Sequence, residues 1–461
     1  KKNMLKSLLT AAGLALGMAV QAIADPLVIG YYAAWKQEQA KAIDLSKYTH
    51  INIAFGIPET DGSITFPDPI SLSDVVGNIH QSSAKALLSI GGWSGSYAFS
   101  DILKSQTASA NLMAQISKLI KDNALDGIDI DWEYPGRAGD TCNVFDETND
   151  TPNLLKFLQQ LRASLDSQFG AGKKQITMAT RLQPFDVDNV PLTDVTAFAK
   201  VLDFINLMIY DINGSWMPQT APNAPFDYED GQGSPVSFIT AIDAWTKAGW
   251  PASKLNAGVP FYGRSTTALV DMTKDPKNQY QNQSSVLPQG DREDLAALDK
   301  CANATSVSGT WQWRLLREQG VLTSPTTAAA PWIRQWDDIT KTPWLFNPNT
   351  KQYITYDDPT SLKIKVDYAA AKGLGGIMVW ALYMDYQNEL LDVIHTWGDA
   401  PAAGKPCTAE GQLTCKDLGG QSPDYLVCLY GKWMQLACNP NTACLPNNNS
   451  IVCGWPRHHI F

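Results

Sequence analysis

After Asp25 the chain alternates between two patterns. Short runs rich in β-branched and apolar residues are each followed by a loop and a stretch with apolar positions three and four apart. The runs are Leu27–Tyr32, Thr49–Phe55, Ala86–Ile90, Gly127–Glu133, Gln175–Thr180, Phe204–Tyr210, Leu255–Pro260 and Gly375–Trp380. Strands that are apolar on both faces belong to parallel sheets covered on both sides. Between them, Ala108–Asp122 (Leu112, Ile116, Leu119) and Asn153–Phe169 (Leu154, Leu158, Leu161, Leu165) carry a helical period. Eight alternating units predict an α/β fold, a (β/α)8 TIM barrel spanning residues 25–397. The alternative, an open doubly wound sheet, is disfavoured because no strand is followed by a Gly-rich phosphate loop.

One interval breaks the rhythm. Leu255 and Gly375 are 120 residues apart, so an insertion of about 265–345 is expected after strand seven. It holds Trp311, Trp313, Trp332, Trp336 and Trp344, which predicts a folded subdomain rather than a loose loop. Past Trp397 the chain becomes small and proline-containing, a linker over 398–406. Residues 407–456 then carry Cys407, Cys415, Cys428, Cys438, Cys444 and Cys453. A module this small needs disulfides for stability, and six cysteines allow 15 pairings. Zinc is disfavoured for want of paired C-x-x-C spacing, and no His cluster resembles a metal site. No cofactor is expected.

The N-terminus suggests a compartment. Lys1, Lys2 and Lys6 precede an apolar run from Leu8 to Val20, closed by Ala22-Ile23-Ala24. A basic start, a short apolar stretch and small residues at the cleavage spacing read as a secretory signal over 1–24. The run is too short to span a ~30 Å hydrocarbon core. The protein is therefore expected to be extracellular, where cysteines pair, with a bridge between Cys142 and Cys301 possible. Sequons begin at Asn149, Asn213, Asn282, Asn303 and Asn448, of which Asn213 neighbours the candidate site. The formal charge of −10 argues against nucleic acid and anionic membrane as partners. A monomer is expected.

The sharpest feature is the fourth run, Asp126-Gly127-Ile128-Asp129-Ile130-Asp131-Trp132-Glu133-Tyr134. Alternate strand residues share a face, so Asp129, Asp131 and Glu133 point one way and Ile128, Ile130 and Trp132 the other. Three acids aimed into a barrel are costly, and a purely structural sequence would place Val or Leu there. A solvated edge or a calcium loop fits worse, given the apolar flanks and the shortage of further oxygens. Barrel active sites open at the carboxyl ends of the strands. Glu133, the last acid, is thus placed to protonate a substrate, with its neighbours raising its pKa.

This stretch resembles the D-x-x-D-x-D-x-E signature of family 18 glycoside hydrolases, the chitinases. Ser89-Ile90-Gly91-Gly92-Trp93, Met208-Ile209-Tyr210-Asp211, Tyr262-Gly263-Arg264 and Gly376-Ile377-Met378-Val379-Trp380 are similar to that family's motifs on strands three, six, seven and eight. The insertion resembles the α+β insertion of the deep-groove subgroup. Family 18 is an exception to two-carboxylate glycosidase chemistry, since the substrate's acetamido group is the nucleophile. The resemblance implies Glu133 as general acid and base, Asp131 holding the acetamido N–H, and Asp129 sharing a proton with Asp131, backed by Ser89 and Tyr32. Tyr210 would donate to the acetamido oxygen. Trp380 would floor the sugar, with Gly92, Met208, Asp211, Tyr134, Tyr262 and Arg264 around it, and Trp93 and Trp216 stacking on the leaving-group side. The family often follows the last strand's Trp with an acidic pair, where Tyr383-Met384-Asp385 stands here.

Tyr425–Trp433 resembles small fungal chitin-binding modules of family 19, implying that Tyr425, Tyr430 and Trp433 meet the polymer. The implied partners are chitin and N-acetylglucosamine oligosaccharides. An endo-β-N-acetylglucosaminidase acting on N-glycans, or a chitin-binding lectin without activity, are the alternatives.

Overall fold

The computed structural model describes residues 25–67, 70–299, 303–399, 401–447 and 450–456. The expected signal segment 1–24, Cys301 of the expected Cys142 bridge, and Asn448 lie outside these residues.

The eight apolar runs form eight parallel strands: β1 (Leu27–Ala33), β2 (His50–Pro58), β3 (Lys85–Gly91), β4 (Gly127–Asp131), β5 (Gln175–Thr180), β6 (Phe204–Leu207), β7 (Leu255–Pro260) and β8 (Gly376–Trp380). Each pairs with the next in sequence, and β1 pairs with both β2 (Tyr31 opposite Asn52) and β8 (Ile29 opposite Met378), which closes the barrel. Closure leaves no free edge among the eight strands.

Helices pack around it where the 3.6 period placed apolar stripes. α1 (Leu72–Gln81) buries Val75, Val76 and Ile79. α2 (Gln106–Asp122) buries Leu112, Ile116 and Ile120, and α3 (Asp150–Phe169) buries Leu154, Leu158, Leu161 and Leu165. α4 (Phe238–Lys247) and α5 (Pro359–Ala371) open on capping boxes, Ser237 with Thr240 and Asp358 with Ser361. A capping box satisfies two N-terminal amides that would otherwise lack partners. α2 starts two residues before the periodic stretch because Ser105 caps it, accepting from the Ala108 amide.

Two strands are shorter than the sequence pattern suggested. β4 ends at Asp131, not Glu133, and β6 at Leu207, not Tyr210. β3 turns away at Gly91 and Gly92, both at positive φ, and the Gly92 amide takes the Asp131 carbonyl as the last bond of the ladder. Glu133 and Tyr210 thus stand just beyond the barrel's carboxyl rim.

The insertion is a five-stranded antiparallel sheet in the order Thr310–Gln312, Tyr262–Thr267, Gln352–Thr355, Thr342–Asn347, Ile333–Asp337. It begins two residues after β7 and extends past Leu345, wider at both ends than the 265–345 span. Trp311, Trp313 and Trp344 are buried. The C-terminal module combines a three-stranded sheet with a hairpin, cross-linked by Cys407–Cys428, Cys415–Cys444 and Cys438–Cys453. Each bridge closes a loop of the length at which cross-linking restricts the unfolded chain by about 3 kcal/mol or more. Among the described residues no helix is long and apolar enough to cross a membrane.

Candidate active site

Strand alternation on β4 sends Ile128 and Ile130 outward into the helix layer and Asp129 and Asp131 into the barrel, all buried. Trp132 continues the outward face and stacks on Phe99, ring centroids 5.2 Å apart. Asp129 is held by three hydroxyls from three other strands. Tyr31 donates to Oδ2 at 2.7 Å, Ser89 to the same oxygen at 2.8 Å, and Thr177 to Oδ1 at 2.6 Å. Burial raises its pKa, while the three donors favour the anion and pull it back.

The tyrosine at this position corrects an expectation. The resemblance implies Tyr32 behind Asp129, but Tyr31 fills that place. Neighbours on a strand point to opposite faces, and Tyr32 lies outside the barrel beside Val75 and Ile79 of α1.

Asp131 is placed differently. It is buried, and its Oδ1 has no hydrogen-bond partner among the described residues. Burial, then the charges of Glu133 and Asp129, push its carboxyl well above the usual range. Glu133 is pushed up to about 7, first by burial and then by the charges of Asp211 and Asp140, against a hydrogen bond from the Tyr134 hydroxyl that favours the anion. An acid at about 7 can hold a proton near neutral pH and release it when a leaving group calls for it.

The rest of the site is built from the ends of the other strands. Trp380 ends β8, half-buried, its ring 5.8 Å from Phe55 and nearly parallel, with Tyr31 at 5.4 Å and Trp35 at 6.4 Å. Gly92 has φ +84°, and a Cβ there would lie 2.7 Å from the Phe55 ring, so glycine lets this aromatic platform close up. Past β6, the Tyr210 hydroxyl is 3.8 Å from Met378 Sδ. Burial holds the Tyr210 phenol well above its ordinary pKa, which keeps it a donor. Met208 is half-buried and packs on the barrel core.

Asp211 joins two elements. Arg264 grips it through both carboxylate oxygens at 2.5 Å, and the Tyr262 hydroxyl donates at 2.7 Å. The same guanidinium lies 5.5 Å from the Trp216 ring centroid. This fork ties the first strand of the insertion to the loop after β6. Trp93 and Trp216 are exposed. Among the described residues no cluster of His, Cys, Asp and Glu is arranged to hold a metal ion.

In the module the expected aromatics separate. Tyr430 sits at a hairpin tip, 92% exposed. Tyr425 is half-buried against the Cys415, Cys438 and Cys444 cluster. Trp433 is only 7% exposed and packs on Leu426 and Cys428, so it belongs to the module's core and not to a binding face. Trp455, 77% exposed, is the flat surface the motif did not single out. Sequence reasoning also missed Tyr31, Thr177, Phe55 and Trp35. For Thr177, its inward position on β5 was the available signal.

Comparison with known proteins bears on this geometry. The model of glycosyl hydrolases family 18 matches residues 27–385, and that of carbohydrate binding domain family 19 matches residues 395–449. A chitinase-like effector of Moniliophthora roreri is 34% identical over 384 residues, covering 79% of this chain and 91% of that protein. An endochitinase of Manduca sexta is 27% identical over 415 residues, covering 84% of this chain and 70% of that protein. Among solved structures, a chitinase from Rhizomucor miehei is 35% identical with a TM-score of 0.74, covering 81% of this chain and all of that one.

Proposed function

Since the chain belongs to glycosyl hydrolase family 18, we propose that it hydrolyses β-1,4-linked N-acetylglucosamine polymers with retention, by catalysis in which the substrate's acetamido group takes part. Glu133 protonates the glycosidic oxygen as the acetamido carbonyl oxygen attacks C1 and the C1–O bond breaks. An oxazolinium ion forms. Water then attacks C1, Glu133 takes its proton, and the ring opens with the original anomeric configuration.

Asp131 receives the acetamido N–H on its free oxygen, orienting the nucleophile and offsetting positive charge as it develops. Tyr210 donates to the acetamido oxygen. The three hydroxyls on Asp129 favour its anion beneath the pair, against the burial that raises its pKa. Trp380 is the apolar floor for the reacting sugar. The carrying observation is the pairing of a buried carboxyl poised at about 7 with a buried neighbour whose acceptor is unfilled. One acid and one orienting carboxylate are what a substrate-borne nucleophile requires.

The exposed Tyr430 and Trp455 support a polymer-binding role for the module, because flat apolar faces pack on sugar rings. The three disulfides support a protein that works outside the cell. Thiazoline mimics of the oxazolinium ion should inhibit competitively. Hydrolysis of fully deacetylated chitosan at a rate comparable to chitin would contradict the acetamido mechanism.

A further inference from the structure

Glu133 stands two residues beyond the end of β4, so no strand ladder fixes its main chain. Side chains from two loops do so instead. On one side, the Ser96 hydroxyl accepts the Glu133 N–H at 2.9 Å and shares its proton between the Gly92 carbonyl at 2.8 Å and the Asp131 carbonyl at 3.1 Å. On the other, Asn143 Nδ2 donates to the Glu133 carbonyl at 2.8 Å and to the Trp93 carbonyl at 3.1 Å. Ser96 and Asn143 are both buried. The loop carrying Asn143 folds back so closely that a Cβ at Gly139 would lie 1.9 Å from the Glu133 carbonyl oxygen.

A buried serine touching three main-chain groups and a buried asparagine spanning two, one of them Glu133's in each case, form a clamp. Neither touches the Glu133 carboxyl, so neither is placed to take part in proton transfer. What they fix is where that carboxyl stands, and displacement of a catalytic group by about 1 Å can cost on the order of 100-fold in rate. The single amide of Asn143 also ties the peptide of the acid to the residue bearing the exposed Trp93 ring.

We propose that Ser96 and Asn143 are positioning residues for the general acid, substituting for the absent strand ladder, and that Asn143 couples the placement of Glu133 to the Trp93 loop. The inference rests on Glu133 being the proton donor, and the test separates the two. A sugar leaving group needs its oxygen protonated, whereas nitrophenolate leaves with little help. The value of kcat/KM for a tetramer of N-acetylglucosamine and for the nitrophenyl glycoside of the dimer therefore reports proton donation by difference.

Asn143→Leu and Ser96→Ala should each lose roughly ten-fold or more on the tetramer. On the nitrophenyl glycoside the loss should be less than about three-fold, with affinity for a thiazoline mimic unchanged within about two-fold. Asn143→Asp, of nearly the same shape but without the donor, should behave like Asn143→Leu and covers the case in which leucine does not fold. Glu133→Gln is the reference. If Glu133→Gln shows the difference and the clamp variants lose equally on both substrates, the positioning role is overturned alone. If Glu133→Gln itself loses equally on both, the proton-donor reading is overturned and the positioning role with it.

Discussion

The Tyr31 hydroxyl donates to Asp129 Oδ2 at 2.7 Å, joining β1 to β4 across the barrel interior. A hydrogen bond to a buried carboxylate contributes about 1.5–3 kcal/mol. Its loss raises the Asp129 pKa further and weakens the anion beneath Asp131. Tyr31→Phe is therefore expected to lower kcat by roughly ten-fold or more, and Tyr32→Phe by less than two-fold. Steady-state kinetics on a soluble oligosaccharide checks this, and an equal or larger loss at Tyr32 would contradict the assignment.

Glu133 acts first in its protonated form, so activity should fall as pH rises through its pKa. The alkaline limb of kcat/KM is expected near pH 7. Asp140 is one of the charges holding that pKa up. Asp140→Asn removes the repulsion, stabilises the Glu133 anion, and should move the limb to lower pH by a few tenths of a unit. A pH–rate profile of both proteins reads the shift, and movement to higher pH would contradict the electrostatic account.

Tyr430 and Trp455 are exposed, whereas Trp433 is packed in the module's core. Tyr430→Ala and Trp455→Ala should lower retention on insoluble chitin while leaving turnover of soluble oligosaccharides unchanged. Trp433→Ala should instead destabilise the module by about 3–5 kcal/mol, as truncation of a buried aromatic does. Pull-down on chitin and thermal melting of the full chain distinguish these outcomes. Undiminished retention by the double variant of Tyr430 and Trp455 would remove them from the binding face.

The barrel was legible because strands buried on both faces appear as apolar runs, and eight such runs leave few alternatives. Asp129 and Asp131 were legible for the opposite reason. Charge interrupts one of those runs at every second position, so parity can be read from it directly. The same uniformity hid Tyr31. In Ile29-Gly30-Tyr31-Tyr32 both faces are apolar, and only the register of β1 between β2 and β8 shows which tyrosine turns inward. Trp433 is ambiguous in sequence because an aromatic in a cysteine-rich strand fits a core or a sugar platform equally well. Its place opposite Cys428 decides for the core. Ser96 and Asn143 left no pattern at all, since each acts on a main-chain group brought to it by the fold.

The central claim is that Glu133 transfers the proton while other groups hold the sugar. Glu133→Gln keeps the shape of the side chain and removes the transferable proton. Turnover of a hexamer of N-acetylglucosamine by this variant, measured together with its affinity for the same hexamer, tests the claim most directly. Turnover should fall by roughly 100-fold or more with affinity retained; a variant that kept a tenth of its turnover would contradict it.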